Sequence, residues 1–349
     1  MLICLSSGST VRYRQDVIRA LALPEGGTVQ FRYEIERWIA PDVVSAMQGN
    51  TLKGQEVLIC YIDQSNPAAT PVIVPCRFAR VADFDRHGST ASLQLQVGHY
   101  AYAEDVSAFN VKLRKQATTP LPNWKDTALA GAYAAFVTGD LSAKSSIAVG
   151  DWERTVKALV AHPEFSSNAG FYTVTALKKL GDPAEIKYGA NGYSVKEGAE
   201  YDLSIYHFNP TTPTQQTTLR FSASNDSIVL SSGALAPMDS RYDMKHVRFV
   251  TANDNSKERR AVLSVFRSIQ GQDGSEQLEF DLDFSVSTPW LRLAGTSVLI
   301  GLLIAGPQVA AALLNVNLSK RRMIAVVLAS VTLSLVAGFA AVFGIKKKV

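Results

Sequence analysis

Cysteine is scarce in this chain. Cys4, Cys60 and Cys76 are three in 349 residues, too few and too scattered for a disulfide framework. They suit a reducing compartment and apolar packing. A secretory leader is also missing: Met1-Leu2-Ile3-Cys4-Leu5-Ser6-Ser7 has no basic start and only a brief apolar run. The five histidines, His87, His99, His162, His207 and His246, lie far apart, and none pairs with another at metal-ligand spacing. There is no Gly-rich phosphate loop, nucleophile elbow or paired-Cys motif. The sequence therefore reads as a protein that is not an enzyme, with no cofactor and no metal. Ser6-Ser7-Gly8-Ser9 is the one run that suits an anion, and a plain loop accounts for it as well. Internal repeats and low-complexity segments are absent.

Acidic residues vanish from Trp290 onward, where seven basic residues stand alone. Residues 1–117 hold 12 basic and 11 acidic residues, residues 118–184 six of each, and residues 185–289 ten and 14. The formal net charge of +4 thus belongs to the C-terminal end, and it is no evidence for a broadly basic nucleic-acid-binding domain. Within that end, Leu293–Asn315 and Met323–Ile345 are uncharged apolar runs flanking the basic turn Ser319-Lys320-Arg321-Arg322. A bilayer core needs about 20 such residues as helix, so the expectation is a transmembrane hairpin over 289–349, with helices at about 293–315 and 323–345. Ser297, Gly301, Ala305, Gln308, Ala312 and Asn315 fall on one stripe of the first helix. Ser330 and Ser334 share a face of the second with Ala337 and Ala341. Small residues mark close helix packing in lipid, and a mid-membrane Gln308 belongs against protein or water. Two readings stand: a packing seam, or the lining of a pore. Gly306-Pro307 interrupts the first helix as a gate hinge or a kink.

The remainder reads as mostly β. Residues 1–117 alternate at Val29–Ile35, Gln55–Ile62 and Ser92–Tyr102, with Val72–Val81 broken by Pro75. Short helices are expected at Arg14–Leu21 and Pro41–Met47. Tight turns between short strands suggest a small barrel of the SH3-like or OB-like kind. Residues 118–184 read as a helical insert, with helices from Asp126 to Val137, from Asp151 to Ala161 and from Asn168 to Leu180. Residues 185–288 carry about seven strands, near Glu185–Tyr188, Tyr201–Phe208, Thr217–Ala223, Ser227–Ser231, Lys245–Thr251, Arg260–Arg267 and Glu276–Val286. That is the pattern of an immunoglobulin-like sandwich. In the last strand Glu279, Asp281 and Asp283 alternate with apolar residues as the wet face of a half-buried strand.

Arginine and aromatic residues interleave in the first domain. Arg12, Tyr13, Arg14, Arg32, Tyr33, Arg37, Trp38, Arg77 and Arg80 are candidate ligand-binding residues, since small β-barrels stack bases on aromatics with Arg on phosphates. A β-rich sensor joined almost without slack, at Val286–Pro289, to a two-helix hairpin resembles the membrane effectors of bacterial antiphage signalling, in layout the Hailong-type transmembrane effectors. The likeness spans the whole chain and the Ser297–Asn315 and Ser330–Ala341 stripes. It implies an oligomeric, ligand-controlled channel or membrane-permeabilising effector in the bacterial inner membrane, with most of the chain cytosolic. It also implies a nucleotide or single-stranded oligonucleotide signal and a nucleotidyltransferase partner. The alternative is a membrane-tethered binding or scaffold protein whose hairpin is only an anchor.

Overall fold

The computed structural model describes residues 1–8, 11–63, 65–66, 69–121, 132–166, 170–210, 217–252, 258–269 and 277–287. The first half is built as β1 (Leu2–Ser7), α1 (Val11–Ala22), β2 (Thr28–Glu34), α2 (Ile35–Trp38), α3 (Pro41–Gln48), β3 (Glu56–Ile62), β4 (Ile73–His87), β5 (Thr90–Tyr102), α4 (Val106–Gln116), β6 (Ala132–Phe136), β7 (Lys144–Ser146), α5 (Val149–Val160) and α6 (Pro163–Ser166). Seven strands form one sheet in the order β2-β5-β4-β3-β1-β6, with β7 on the flank of β5. β1 and β3 run parallel, Leu2 opposite Val57 through Ser7 opposite Ile62. Both are buried along most of their length and lack the polar alternation of a half-exposed strand.

The expected small barrel of the SH3-like or OB-like kind is corrected to a curled, half-barrel sheet. Between its two ends, β2 and β6, Ile39 just after α2 bridges Ala134 of β6, and Ala40 N–H donates to Ala134 O at 2.9 Å. The Ala-rich stretch expected to be helical up to Val137 holds strand β6 instead. There Ala134 and Ala135 are fully buried against β1, because small side chains let that edge approach the core.

The second half comprises β8 (Phe171–Lys179), β9 (Tyr188–Gly189), β10 (Gly192–Lys196), β11 (Glu200–Phe208), β12 (Thr217–Ala223), β13 (Ile228–Ser232), β14 (Leu235–Pro237), β15 (Tyr242–Thr251), β16 (Glu258–Ile269) and β17 (Gln277–Ser287). A six-stranded sheet, β14-β12-β16-β17-β10-β9, faces a four-stranded one, β13-β15-β11-β8. Aromatic rings join the two across the core, Phe249 to Phe284 at 5.2 Å and Tyr172 to Phe280 at 6.0 Å between centroids. The helix expected at Asn168–Leu180 is strand β8. Phe171, Tyr172, Thr173 and Val174 are aromatic or β-branched, and they are buried against β11 rather than along a helical stripe.

The expected wet face of β17 holds at Asp281 and Asp283, which are exposed, and is corrected at Glu279. The pairing with β16 slips between Val265 and Phe266. This β-bulge turns Glu279 inward, 2% exposed, and Leu278 outward, 38% exposed. Glu279 Oε1 lies 3.2 Å from Arg267 Nε, and Tyr172 OH donates to its other oxygen at 2.8 Å. The pair is a charge contact more than an aligned bond, since Arg267 Nε finds no acceptor in hydrogen-bonding geometry among the described residues.

The two halves share one apolar core. α1 ends against the sandwich, with Arg19 Nε donating to the Glu279 carbonyl. α5 rests Trp152 edge-on against Tyr206 at 5.9 Å, and Tyr206 OH donates to Glu153 Oε1 at 2.6 Å.

The membrane expectation is corrected as well. Among the described residues no helix is long and apolar enough to cross a membrane. The longest, α1 and α5, have 12 residues each, about 18 Å at 1.5 Å per residue against a hydrocarbon core of about 30 Å. Residues 293–315 and 323–345 lie outside the described residues, and with them the Ser297–Asn315 stripe, Ser330, Ser334 and the Gly306-Pro307 hinge. A C-terminal transmembrane hairpin therefore has no support in the structure, and the fold class is a mixed β-rich one: curled sheet plus sandwich.

Candidate functional site

A cleft of about 1010 Å³ opens between the curled sheet and the sandwich, at the upper end of the size range typical of ligand sites. Its formation starts at the end of α1. Pro24 has no N–H, so the Ala20 carbonyl four residues earlier loses its helical donor. Arg77 of β4 takes that place. Its NH1 donates to Ala20 O at 2.8 Å and Leu23 O at 2.6 Å, and its Nε donates to Gly98 O at 2.8 Å. The guanidinium lies 4.5 Å from the Tyr100 ring centroid. Tyr100 OH in turn lies 2.6 Å from Thr173 Oγ1 on β8. The base of the cleft is thus a buried cation held by backbone carbonyls and an aromatic ring.

The walls follow from the sheets. The β4–β5 pairing slips between Arg77 and Ala79, and this bulge presents His99 outward, half exposed. His99 Nδ1 lies 3.0 Å from Ser145 Oγ, and its Nε2 lies 3.5 Å from Glu25 Oε1. Gly26 has φ +91°, and a Cβ there would collide with the Tyr188 carbonyl. Glycine is what allows the turn after α1 to touch the sandwich. Opposite, Tyr188 packs edge-on against Tyr193 at 4.7 Å, and burial pushes the Tyr188 hydroxyl up to about 12. Exposed Arg80 and Lys187 carry no ion pair among the described residues, nor do Glu56 and Glu185, while Ile147 stands 70% exposed at the mouth.

Three strand margins border this cleft. β8 ends the four-stranded sheet, β9 ends the six-stranded sheet, and β7 is the outermost strand beside β5. Ser145 of β7, Val174 and Thr175 of β8, and Tyr188 of β9 all line the cavity.

The candidate residues from the sequence separate into groups. Arg77 and Arg80 line the cleft. Tyr13 and Trp38 meet edge-on at 6.0 Å on the far side of α1. Arg12 and Arg32 share that corner through Asp16, whose carboxyl burial pushes up to about 6 against the pull of Arg19, Arg12 and Arg32. Arg37 is exposed, 3.7 Å from Glu34. Tyr33 is buried in the core. Arg14 NH1 turns to the Glu164 carbonyl at 3.4 Å. The nine residues therefore form no single surface.

A second polar cluster sits where β1 and β3 end. Tyr61 OH donates to Glu164 Oε2, and His162 Nδ1 lies 2.6 Å from Asp63 Oδ2. Burial pushes the Glu164 carboxyl up, outweighing the bonds from Tyr61 and from the Gly8 N–H. Burial also pushes Asp63 up, but hydrogen bonds from Ser65 and His162 outweigh it and hold Asp63 below the usual range. Cys4, Cys60 and Cys76 are buried free thiols. Among the described residues no group of three or more His, Cys, Asp or Glu side chains is placed to hold a metal ion.

No protein-family model matches the chain, and no curated protein matches it. Among solved structures, the chain is similar to the periplasmic chaperone SfaE at 10% identity and TM-score 0.22, over 27% of this chain and 53% of that one. It therefore spans about half of SfaE. It is similar to the ASH/PapD-like domain 7 of human CEP192 at 7% identity and TM-score 0.23, over 33% and 87%. It is also similar to SSP-19, an MSP-domain-like protein of Caenorhabditis elegans, at 12% identity and TM-score 0.19, over 27% and 92%. At these scores the likenesses assign neither a family nor a function. The implied Hailong-type effector, its oligomeric channel, the bilayer contact, the nucleotidyltransferase partner and the inner-membrane location all rested on the hairpin. With no membrane-crossing helix among the described residues, they are withdrawn, and so is the anchored-scaffold alternative.

Proposed function

We propose that this chain is a binding protein, not an enzyme, and that it receives an extended peptide segment in the cleft between the curled sheet and the sandwich. The observation that carries this reading is the convergence of three edge strands, β7, β8 and β9, on one cavity. An edge strand offers N–H and C=O groups in a row, and an extended chain satisfies them by adding a strand. The side chains around those edges suit a peptide too. Arg80 and Lys187 stand against Glu56 and Glu185, charges of both signs, while Tyr100, Tyr188, Tyr193 and Ile147 supply aromatic and aliphatic surface. The experiment is fluorescence polarisation with a library of labelled peptides covering both charge signs. Binding by amphipathic members, lost in Ile147→Asp and weakened in Arg80→Ala, supports the reading. A wild-type chain that binds no member contradicts it.

One observation favours a second reading. Ser145, His99 and Glu25 lie in line at the mouth, composed like a hydrolase triad. His99 and Glu25 are, however, 47% and 64% exposed in their side chains, so water screens the pair, and the binding reading is preferred.

A further inference from the structure

The Ser6-Ser7-Gly8 turn is not part of the cleft, and none of the residues around it lines that cavity. We propose that this turn, at the ends of the parallel strands β1 and β3, is a binding site for a ligand oxyanion, occupied in this structure by the protein's own Glu164 carboxylate. The proposal goes beyond peptide binding in the cleft and does not depend on it.

The Glu164 carboxylate sits where a ligand's anionic group would. The Gly8 N–H donates to it, and so does the Tyr61 hydroxyl. A Cβ at Gly8 would lie 2.5 Å from Glu164 Oε2 and 2.5 Å from Glu164 Cβ, so only glycine lets a carboxylate come this close to the backbone. Arg14 stands at the same corner, with its guanidinium on the Glu164 backbone carbonyl at 3.4 Å and not on the carboxylate. A cation is therefore present that the resident anion leaves unneutralised. Asp63 is held by His162 and Ser65, and its charge still acts on Glu164, adding to the push of burial on that carboxyl.

The resident anion is also poorly settled. Burial pushes the Glu164 carboxyl up, whereas an anion well suited to its site would be pulled down. Glu164 rides on α6, an element of only four residues, and its withdrawal disturbs no long helix. A ligand carrying a phosphate or carboxylate group would take over the Gly8 and Tyr61 donors and gain Arg14. Glu164 then acts as a competitor, and the apparent affinity for the ligand is reduced by the fraction of time the cradle is closed.

The test is thermal unfolding of the full chain in rising inorganic phosphate, with sodium acetate as a second arm and potassium chloride as the ionic-strength control. Glu164→Ala should show a saturable rise in Tm with phosphate, at a midpoint about tenfold or more below that of the wild-type chain if the closed state holds nine-tenths of the population. Combining Glu164→Ala with Tyr61→Phe should move the midpoint to higher phosphate than in Glu164→Ala alone. A response to phosphate alone identifies a phosphate-bearing ligand, and an equal response to acetate identifies a carboxylate. No response beyond the chloride control in either arm overturns the proposal, as does a wild-type midpoint equal to that of the variant. Should Glu164→Ala fail to fold, Glu164→Gln keeps the shape and removes the charge. It should respond at lower phosphate than wild type, and an unchanged midpoint overturns the proposal.

Discussion

Replacing Arg77 by Ala should unseat α1. The guanidinium satisfies Ala20 O, Leu23 O and Gly98 O, and Pro24 leaves no backbone donor for the first of these. Hydrogen bonds to a charged group contribute about 1.5–3 kcal/mol each. Against them stands the cost of burying the guanidinium, several kcal/mol per ion, which the variant recovers. The carbonyls it leaves are buried without donors. The net loss is about 3–5 kcal/mol, a large share of the roughly 5–15 kcal/mol of a folded domain. Arg77→Lys should lose about half as much, because one ammonium cannot reach Gly98 on one side and both helix carbonyls on the other. The assay is urea unfolding followed by circular dichroism, joined to hydrogen exchange of residues 11–22, which should quicken first. A loss under about 1 kcal/mol, with α1 exchange unchanged, would refute the assignment of Arg77 as the cap of α1.

Three further outcomes follow from the same geometry. Glu279→Gln should cost about 3–5 kcal/mol in urea unfolding by stranding the buried Arg267, whereas Arg267→Met with Glu279→Leu should cost much less. Asp63 has a lowered folded-state pKa, so its contribution is present above the ordinary carboxylate range and is lost as pH falls through that lowered value. Asp63→Asn should therefore be less stable than wild type at neutral pH, with the gap closing in acid, and a gap constant with pH would be inconsistent with this. A fluorophosphonate probe should leave Ser145 unmodified, and labelling detected by peptide mass spectrometry would favour the hydrolase reading.

Strand periodicity was legible in several strands with one face in water, although β10 (Gly192–Lys196) was missed and the expected Glu185–Tyr188 strand is one only at Tyr188. Thr217–Ala223 has the same limits in sequence and structure, and Tyr201–Phe208 differs by one residue from β11. Periodicity failed where tertiary packing decided. Lys178, Lys179 and Gly181 have the composition of a helix end, yet Phe171–Val174 pair with β11 because that edge needs a buried, β-branched partner. The inward turn of Glu279 depends on a bulge in which Glu279 itself is the extra residue between Leu278 and Phe280, a register that alternation along one strand does not show. Of the cleft, the sequence singled out only Arg77 and Arg80 among its candidate ligand-binding residues. Its lining comes from residues as far apart as Pro24 and Tyr193, and no local spacing connects them. The Ser6-Ser7-Gly8 run was visible, but Glu164, which fills it, lies more than 150 residues away.

Hydrogen–deuterium exchange on the full chain with its best-binding library peptide reports whether a peptide occupies the cleft. Protection is expected at residues 144–147, 173–176 and 185–189, the three strand margins, with little change at the Tyr13–Trp38 corner. Protection confined to that corner, or spread evenly over the chain, would contradict that occupancy.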